Sequence, residues 1–172
     1  MPSNTQWQVI INRQTCASGW KKWNAFLEKN AITCQLHHTH SIDEAYASIT
    51  TLYQQGHLHY LSVGGDGTIH HGVNKLMELS GSQSSAITMG VLPCGTGNDW
   101  VRSFGTPLDR LATSIREQYT APYNLVRITW PDGRTRYAAN MVGGALDAAV
   151  VLNLKRASFQ IPSWILYPYG LV

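Results

Sequence analysis

The chain has 172 residues, 44% hydrophobic, 10% aromatic and only 13% charged, with a net charge of +3. That length suits one domain, or one domain and part of another, and hides roughly 70% of the surface the unfolded chain would expose. The composition excludes a disordered or low-complexity chain, and 13 Lys and Arg against 10 Asp and Glu, without a block of like charge, gives no reason to expect a nucleic-acid partner.

Three cysteines, Cys16, Cys34 and Cys94, are odd in number and widely spaced. This argues against a disulfide framework or a Cys-based zinc site and fits a reducing compartment. The first residues carry no leader pattern, and no run reaches the ~20 apolar residues that span a bilayer. The expected location is cytoplasmic.

In chain order, residues 7–12 form a short apolar run that reads as a strand, followed by helical spacing of Trp23, Phe26 and Leu27. Residues 32–38 read as a second strand. Ser41 and Glu44 form a capping-box pattern ahead of a helix carrying Ile42, Ala45, Tyr46, Ile49, Leu52 and Tyr53 on one face, and Gly56 ends it. A third strand, 58–63, runs into Gly64-Gly65-Asp66-Gly67-Thr68 and a helix expected to begin at Thr68. A fourth strand, 86–92, runs into Pro93-Cys94-Gly95-Thr96-Gly97-Asn98-Asp99 and short helices over 100–104 and 108–117. The alternation predicts an α/β fold with a parallel sheet, in which ligands bind beyond the carboxyl ends of the strands. After about residue 120 the pattern changes to a hairpin around Pro131-Asp132-Gly133, a helical stretch over 146–156 and an apolar tail with Trp164, Tyr167 and Tyr169. This segment, 121–172, reads as the start of a β-rich second domain or as an extension packed on the first.

Both glycine-rich segments fall where a strand ends and a helix begins. Glycines let backbone amides approach an anion, and the helix start adds unpaired N–H groups and a positive dipole end. A first loop of this kind is also compatible with a plain turn; a second one on the neighbouring strand makes a cleft. Asp66 would repel phosphate, and makes more sense bonded to backbone donors, holding the loop, or organising a metal or a ribose. Thr96 has a hydroxyl to offer a phosphate or sugar, and Asn98 or Asp99 is placed to cap the next helix. The G-x-x-x-x-G-K-[ST] and dinucleotide G-x-G-x-x-G patterns are absent. His37, His38, His40, His70 and His71 lack the companion ligands of a metal site.

The stretch from Val63 through Leu76, with GGDGT, and that from Gly90 through Pro107, with GTGND, together resemble the diacylglycerol kinase catalytic-domain family, including its bacterial lipid kinases. GGDGT alone is shared in variants with phosphofructokinases and NAD kinases, and GTGND separates the lipid-kinase branch. Residues 137–148 are similar to the segment that opens that family's second domain. The resemblance implies a nucleotide-binding α/β kinase domain over 1–120 and an incomplete β-rich lipid-binding domain over 121–172. It implies a nucleotide site using Asn12, Thr39, Gly64, Gly65, Asp66, Gly67, Thr68, Gly95, Thr96, Gly97, Asn98 and Asp99, with Asp66 the required motif aspartate. It implies ATP and Mg²⁺, and transfer of the γ-phosphoryl group to the hydroxyl of diacylglycerol or a related lipid at a membrane surface.

Three positions depart from that pattern. Arg13 replaces a proline, His71 a glutamate and Asn124 an aspartate. The family's general base, in a late DGE-like motif, and its structural Mg²⁺ site are expected beyond residue 172. The competing expectation is a nucleotide-binding fragment without turnover. An unfinished second domain with exposed aromatics would favour self-association into a homodimer, or peripheral membrane contact.

Overall fold

A computed structural model of the chain describes residues 6–140 and Val142. The chain divides into two compact units, Met1–Asn140 and Met141–Val172. The expected helix over 146–156 and the aromatic tail lie outside the described residues.

Four parallel strands form the centre of the first unit: β1 (Trp7–Asn12), β2 (Cys34–Thr39), β3 (His59–Gly64) and β4 (Thr88–Pro93), in the spatial order β2-β1-β3-β4. Alternation along β1 decides which face each side chain joins. Trp7, Val9 and Ile11 meet Leu61, Val63 and Leu92 on one face, covered by Trp23 and Leu27 of α1 (Trp20–Lys29) and Ile115 of α5 (Leu108–Arg116). Ile10 and Tyr60 lie on the other, covered by Ile49 and Leu52 of α2 (Ile42–Gln54) and Leu76 of α3 (Asp66–Ser80). A sheet buried on both faces needs near-continuous apolar strands, and this is what β1 and β3 supply. Trp7 adds a polar tie, its indole N–H donating to the Ile115 carbonyl at 3.2 Å.

The α2 start follows the capping pattern in part. Ser41 Oγ accepts from the Glu44 amide at 3.1 Å, but the Glu44 carboxylate reaches one residue further back than a capping box requires, to the His40 amide at 2.7 Å. Gly56, at φ +86°, ends the helix. A 3₁₀ turn (Gly81–Ala86) links α3 to β4, and α4 is a single turn, Asp99–Arg102. The hairpin is β5 (Val126–Thr129) with β6 (Thr135–Ala138), antiparallel, turning at Gly133 with φ +84°. It belongs to the same unit as the parallel sheet. Asn74 of α3 holds it: Tyr137 donates its amide to Asn74 Oδ1 and accepts from Asn74 Nδ2, both at 2.8 Å.

Two expectations are corrected here. The helix after the first glycine loop starts at Asp66, not Thr68, because Thr68 and Ile69 already donate to the Gly65 carbonyl. Cys16 and Cys94 are joined as a disulfide, their Cα atoms 5.5 Å apart, against the expectation of no disulfide framework. Spacing along the chain hid the pair, because it is the β2-β1-β3-β4 order that brings the loop after β1 to the loop after β4.

Candidate nucleotide-binding site

Parallel register sets where the glycine loops leave the sheet. Gly64 of β3 pairs with Pro93 of β4, and the Cys94 amide donates to the Gly64 carbonyl at 2.8 Å, so the ladder runs one residue past the strand. Both loops therefore emerge side by side. They touch through backbone: a Cβ built on Gly95 would stand 2.6 Å from the Gly65 Cα, and one on Gly65 3.1 Å from the Gly95 Cα. No side chain larger than hydrogen fits either position without moving the main chain. Gly64 is closed off in the same way by the Thr68 side chain. These three glycines are required by close approach, since none of them has a positive φ.

Asp66 links the loops. Its Oδ2 accepts from the Asp99 amide at 3.2 Å and its Oδ1 from the Trp100 amide at 3.1 Å. The carboxylate of the first loop thus caps the single-turn helix behind the second, a charge-assisted arrangement at the positive end of that helix. The Asp66 charge faces two backbone donors of its own protein. Asn98 does not cap α4 with its side chain. It takes a left-handed conformation at φ 54° and folds its amide onto Gly95, accepting from that amide at 2.9 Å and donating to that carbonyl at 2.6 Å. Asn98 therefore fixes the shape of its own loop. Thr96 stands exposed at the tip.

Asn12, at the end of β1, works in two directions. Its Nδ2 donates to Thr68 Oγ1 at 3.1 Å, and its Oδ1 accepts from the Gln14 and Thr15 amides at 3.0 and 3.1 Å. The second set is an Asx turn that folds residues 13–16 back over the strand end. It brings the Thr15 methyl to 3.8 Å from a Cβ position on Gly65, so residues 12–16 form a third wall of the cradle. Sequence reasoning named Asn12 alone. An Asn at a strand end two and three residues ahead of Gln14 and Thr15 was the signal available. Thr39 is 2% exposed and donates its hydroxyl to the Ile11 carbonyl at 3.1 Å. It lines a cavity of about 50 Å³ whose polar side is Asn12, Gln14, Ser41 and Thr68 and whose floor includes Ile10, Ile49 and Leu76. Thr39 thus lies beside Asn12 and Thr68, while Gly95 and Thr96 do not line this cavity.

His71 faces the same cavity. Its Nδ1 shares a hydrogen bond with the Tyr46 hydroxyl at 2.8 Å, tying α3 to α2. Burial pushes its pKa below the ordinary histidine value, with His70 and Arg136 adding to the effect, so the ring is held neutral. Gln8, fully buried, bridges His37 and His57, and His38 packs edge-on against Trp20 beneath Arg13.

Among the described residues no group of three or more His, Cys, Asp or Glu is placed to hold a metal ion. Both Asp66 oxygens are taken by amides, and Asp99 faces Arg102 at 3.8 Å. The described residues supply no set of three protein ligands for Mg²⁺, which is commonly held by one or two carboxylates together with phosphate and water. No described helix is long and apolar enough to cross a membrane.

Comparison with known proteins shows the family. The family described as "Diacylglycerol kinase catalytic domain" matches residues 6–128. A "Probable lipid kinase YegS-like" of Xanthomonas oryzae pv. oryzae (strain MAFF 311018) is 26% identical over 152 residues, covering 86% of this chain and 48% of the relative. A "Diacylglycerol kinase" of Bacillus subtilis (strain 168) is 28% identical over 137 residues, covering 78% of this chain and 38% of the relative. The chain spans about half the length of the curated relatives it matches or less. With the family profile matching well over half of its residues, including both glycine loops, the chain belongs to the diacylglycerol kinase catalytic-domain family.

Proposed function

We propose that this chain supplies the nucleotide-binding half of an ATP-dependent lipid kinase, which transfers the γ-phosphoryl group to the hydroxyl of diacylglycerol or a related lipid. The observation that carries the reading is the contact of Gly65 with Gly95, locked by Asp66 on the amides of Asp99 and Trp100. Two strand-end loops with no room for a side chain at Gly64, Gly65 and Gly95, backed by the start of the 15-residue α3, suit a polyphosphate. In this reading residues 64–68, Thr96 and the turn of residues 12–16 surround the phosphates, with Thr39 beside the nucleoside. Residues 1–120 form the nucleotide domain and 121–172 open the lipid domain.

In the transfer, the lipid oxygen bonds to the γ-phosphorus as the bond to the bridging oxygen of ADP breaks, and the hydroxyl proton passes to a base. Positioning and charge neutralisation supply most of the rate in such reactions. Mg²⁺ would travel with the phosphates, since it keeps much of its coordination from phosphate and water. The kinase would work in the cytoplasm against a membrane face.

A second reading has its own support. The two acids in the cradle are engaged, Asp66 with amides and Asp99 with Arg102, so neither is set up as the general base. On that reading the 172-residue chain binds ATP and does not turn it over. Titration calorimetry with ATP, followed by transfer from γ-labelled ATP to diacylglycerol in mixed micelles, tests both. Binding with transfer supports the kinase, binding alone the second reading, and no binding to folded protein at millimolar ATP overturns both.

A further inference from the structure

Cys16 lies at the end of the turn after β1, and Cys94 opens the loop after β4, 78 residues away. Their Cα separation of 5.5 Å lies inside the roughly 4.4–6.8 Å window that a disulfide needs. Cys16 is 1% exposed, while Cys94 is partly open to solvent. Gly19, just before α1, covers both sulfurs: a Cβ there would come to 2.8 Å from Cys94 Sγ and 3.4 Å from Cys16 Sγ. The third thiol, Cys34, is free on β2, and burial together with Glu28 raises its pKa, so it remains a protonated, poor nucleophile. The bond therefore spans two walls of the cradle: Asn12 and Thr15 stand on the Cys16 side, Gly95 and Thr96 on the Cys94 side.

We propose that Cys16 and Cys94 form a redox modification site that sets the cradle's affinity for nucleotide phosphate, with a small disulfide of the glutathione class as the oxidant. The proposal rests on the nucleotide reading above. The more accessible Cys94, as thiolate, attacks one sulfur of the small disulfide, breaking its S–S bond and releasing one thiol. Cys16 then gives up its proton and attacks the Cys94 sulfur of the mixed disulfide, releasing the second thiol. One S–S bond is broken and one formed; the protein loses two hydrogens and the oxidant gains them. A dithiol reductant reverses both steps. With the bond closed, the two walls keep their spacing before the nucleotide arrives, and less ordering remains to be done on binding.

The test uses the full chain, treated either with oxidised glutathione or with a phosphine reductant that is then removed. Thiol titration in denaturant is expected to find one thiol after oxidation, assigned to Cys34 by peptide mapping, and three after reduction. Calorimetry with ATP is expected to show the oxidised form binding about fivefold tighter or more, the lower end of typical coupling between sites. The Cys16→Ser/Cys94→Ser double variant is expected to bind like the reduced protein and to ignore glutathione. If that variant does not fold, the reduced wild-type chain gives the same comparison without substitution. Three thiols persisting after oxidation, or equal measurable ATP affinity in the two forms, overturns the proposal while leaving the cradle intact. No ATP binding in either form overturns the cradle and this proposal together, whatever the thiol count.

Discussion

The two glycine loops have nearly the same composition and sit on adjacent strands, yet they are built differently. Residues 64–68 lead into α3, fifteen residues long and packed through Ile69 and Leu76. Residues 95–99 lead into α4, four residues long with no buried residue. The first loop has a core element behind it. The second borrows its order from Asp66, which caps α4, and from Asn98, which bonds to Gly95. Similar sequence motifs can thus be one self-supporting and one dependent, and the dependence runs from the second loop to the first.

Removing Asp66 should separate the two most sharply. Asp66→Ala deletes both bonds across to α4, each worth about 1.5–3 kcal/mol because the acceptor is charged, and should abolish ATP binding in calorimetry. Amide hydrogen exchange should rise at residues 99–103 and stay unchanged in the C-terminal half of α3. Equal protection in both regions would break the asymmetry. A side chain at the contact is next. Gly95→Val must push the two loops apart at a cost of about 1–3 kcal/mol, and should weaken ATP binding at least tenfold while far-ultraviolet circular dichroism stays native.

Asn12→Ala should come third. It removes the link to Thr68 and the Asx turn together, costing about 1–2 kcal/mol in thermal unfolding and several-fold in ATP affinity. Asn12→Asp, which keeps the acceptor for Gln14 and Thr15 and loses the donor to Thr68, should recover the turn only. Ser41→Ala should cost about 1 kcal/mol in thermal unfolding as a lost helix cap, with amide exchange rising at the start of α2.

The smallest effect for any single group is on pH. Burial lowers the pKa of His37, His38, His59 and His71 below the ordinary 6.5. The folded state prefers these rings neutral, so their contribution is complete above about pH 6.5 and is lost as pH falls through the lowered values. Thermal unfolding should be lower at about pH 5 than at about pH 7.5, and His71→Gln should reduce that difference.

Much of this was legible in the residues. Strand–helix alternation gave the parallel sheet, because β1 and β3 are apolar on both faces, and it placed both glycine loops at carboxyl ends. Charge alone showed that Asp66 needs a partner other than phosphate, and backbone donors were one option beside a metal or a ribose. Its actual partners were hidden, since the amides of Asp99 and Trp100 are 33 and 34 residues away and reach it only through the order of strands. The Cys16–Cys94 pair was hidden for the same reason. Local chemistry misled at Asn98, a good cap residue whose left-handed backbone turns its amide onto Gly95. The departure at His71 was visible, but its bond to Tyr46 needed α2 and α3 to lie side by side.

The amide of Asn74 has a consequence for how the molecule meets others of its kind. An antiparallel ribbon normally offers its outer rim as a template on which a stranger's backbone can dock. Here, at Tyr137, one carboxamide from a helix occupies both the donor and the acceptor a newcomer would seek. That rung is plugged from within, which discourages fibrous growth from this rim at the cost of a single side chain.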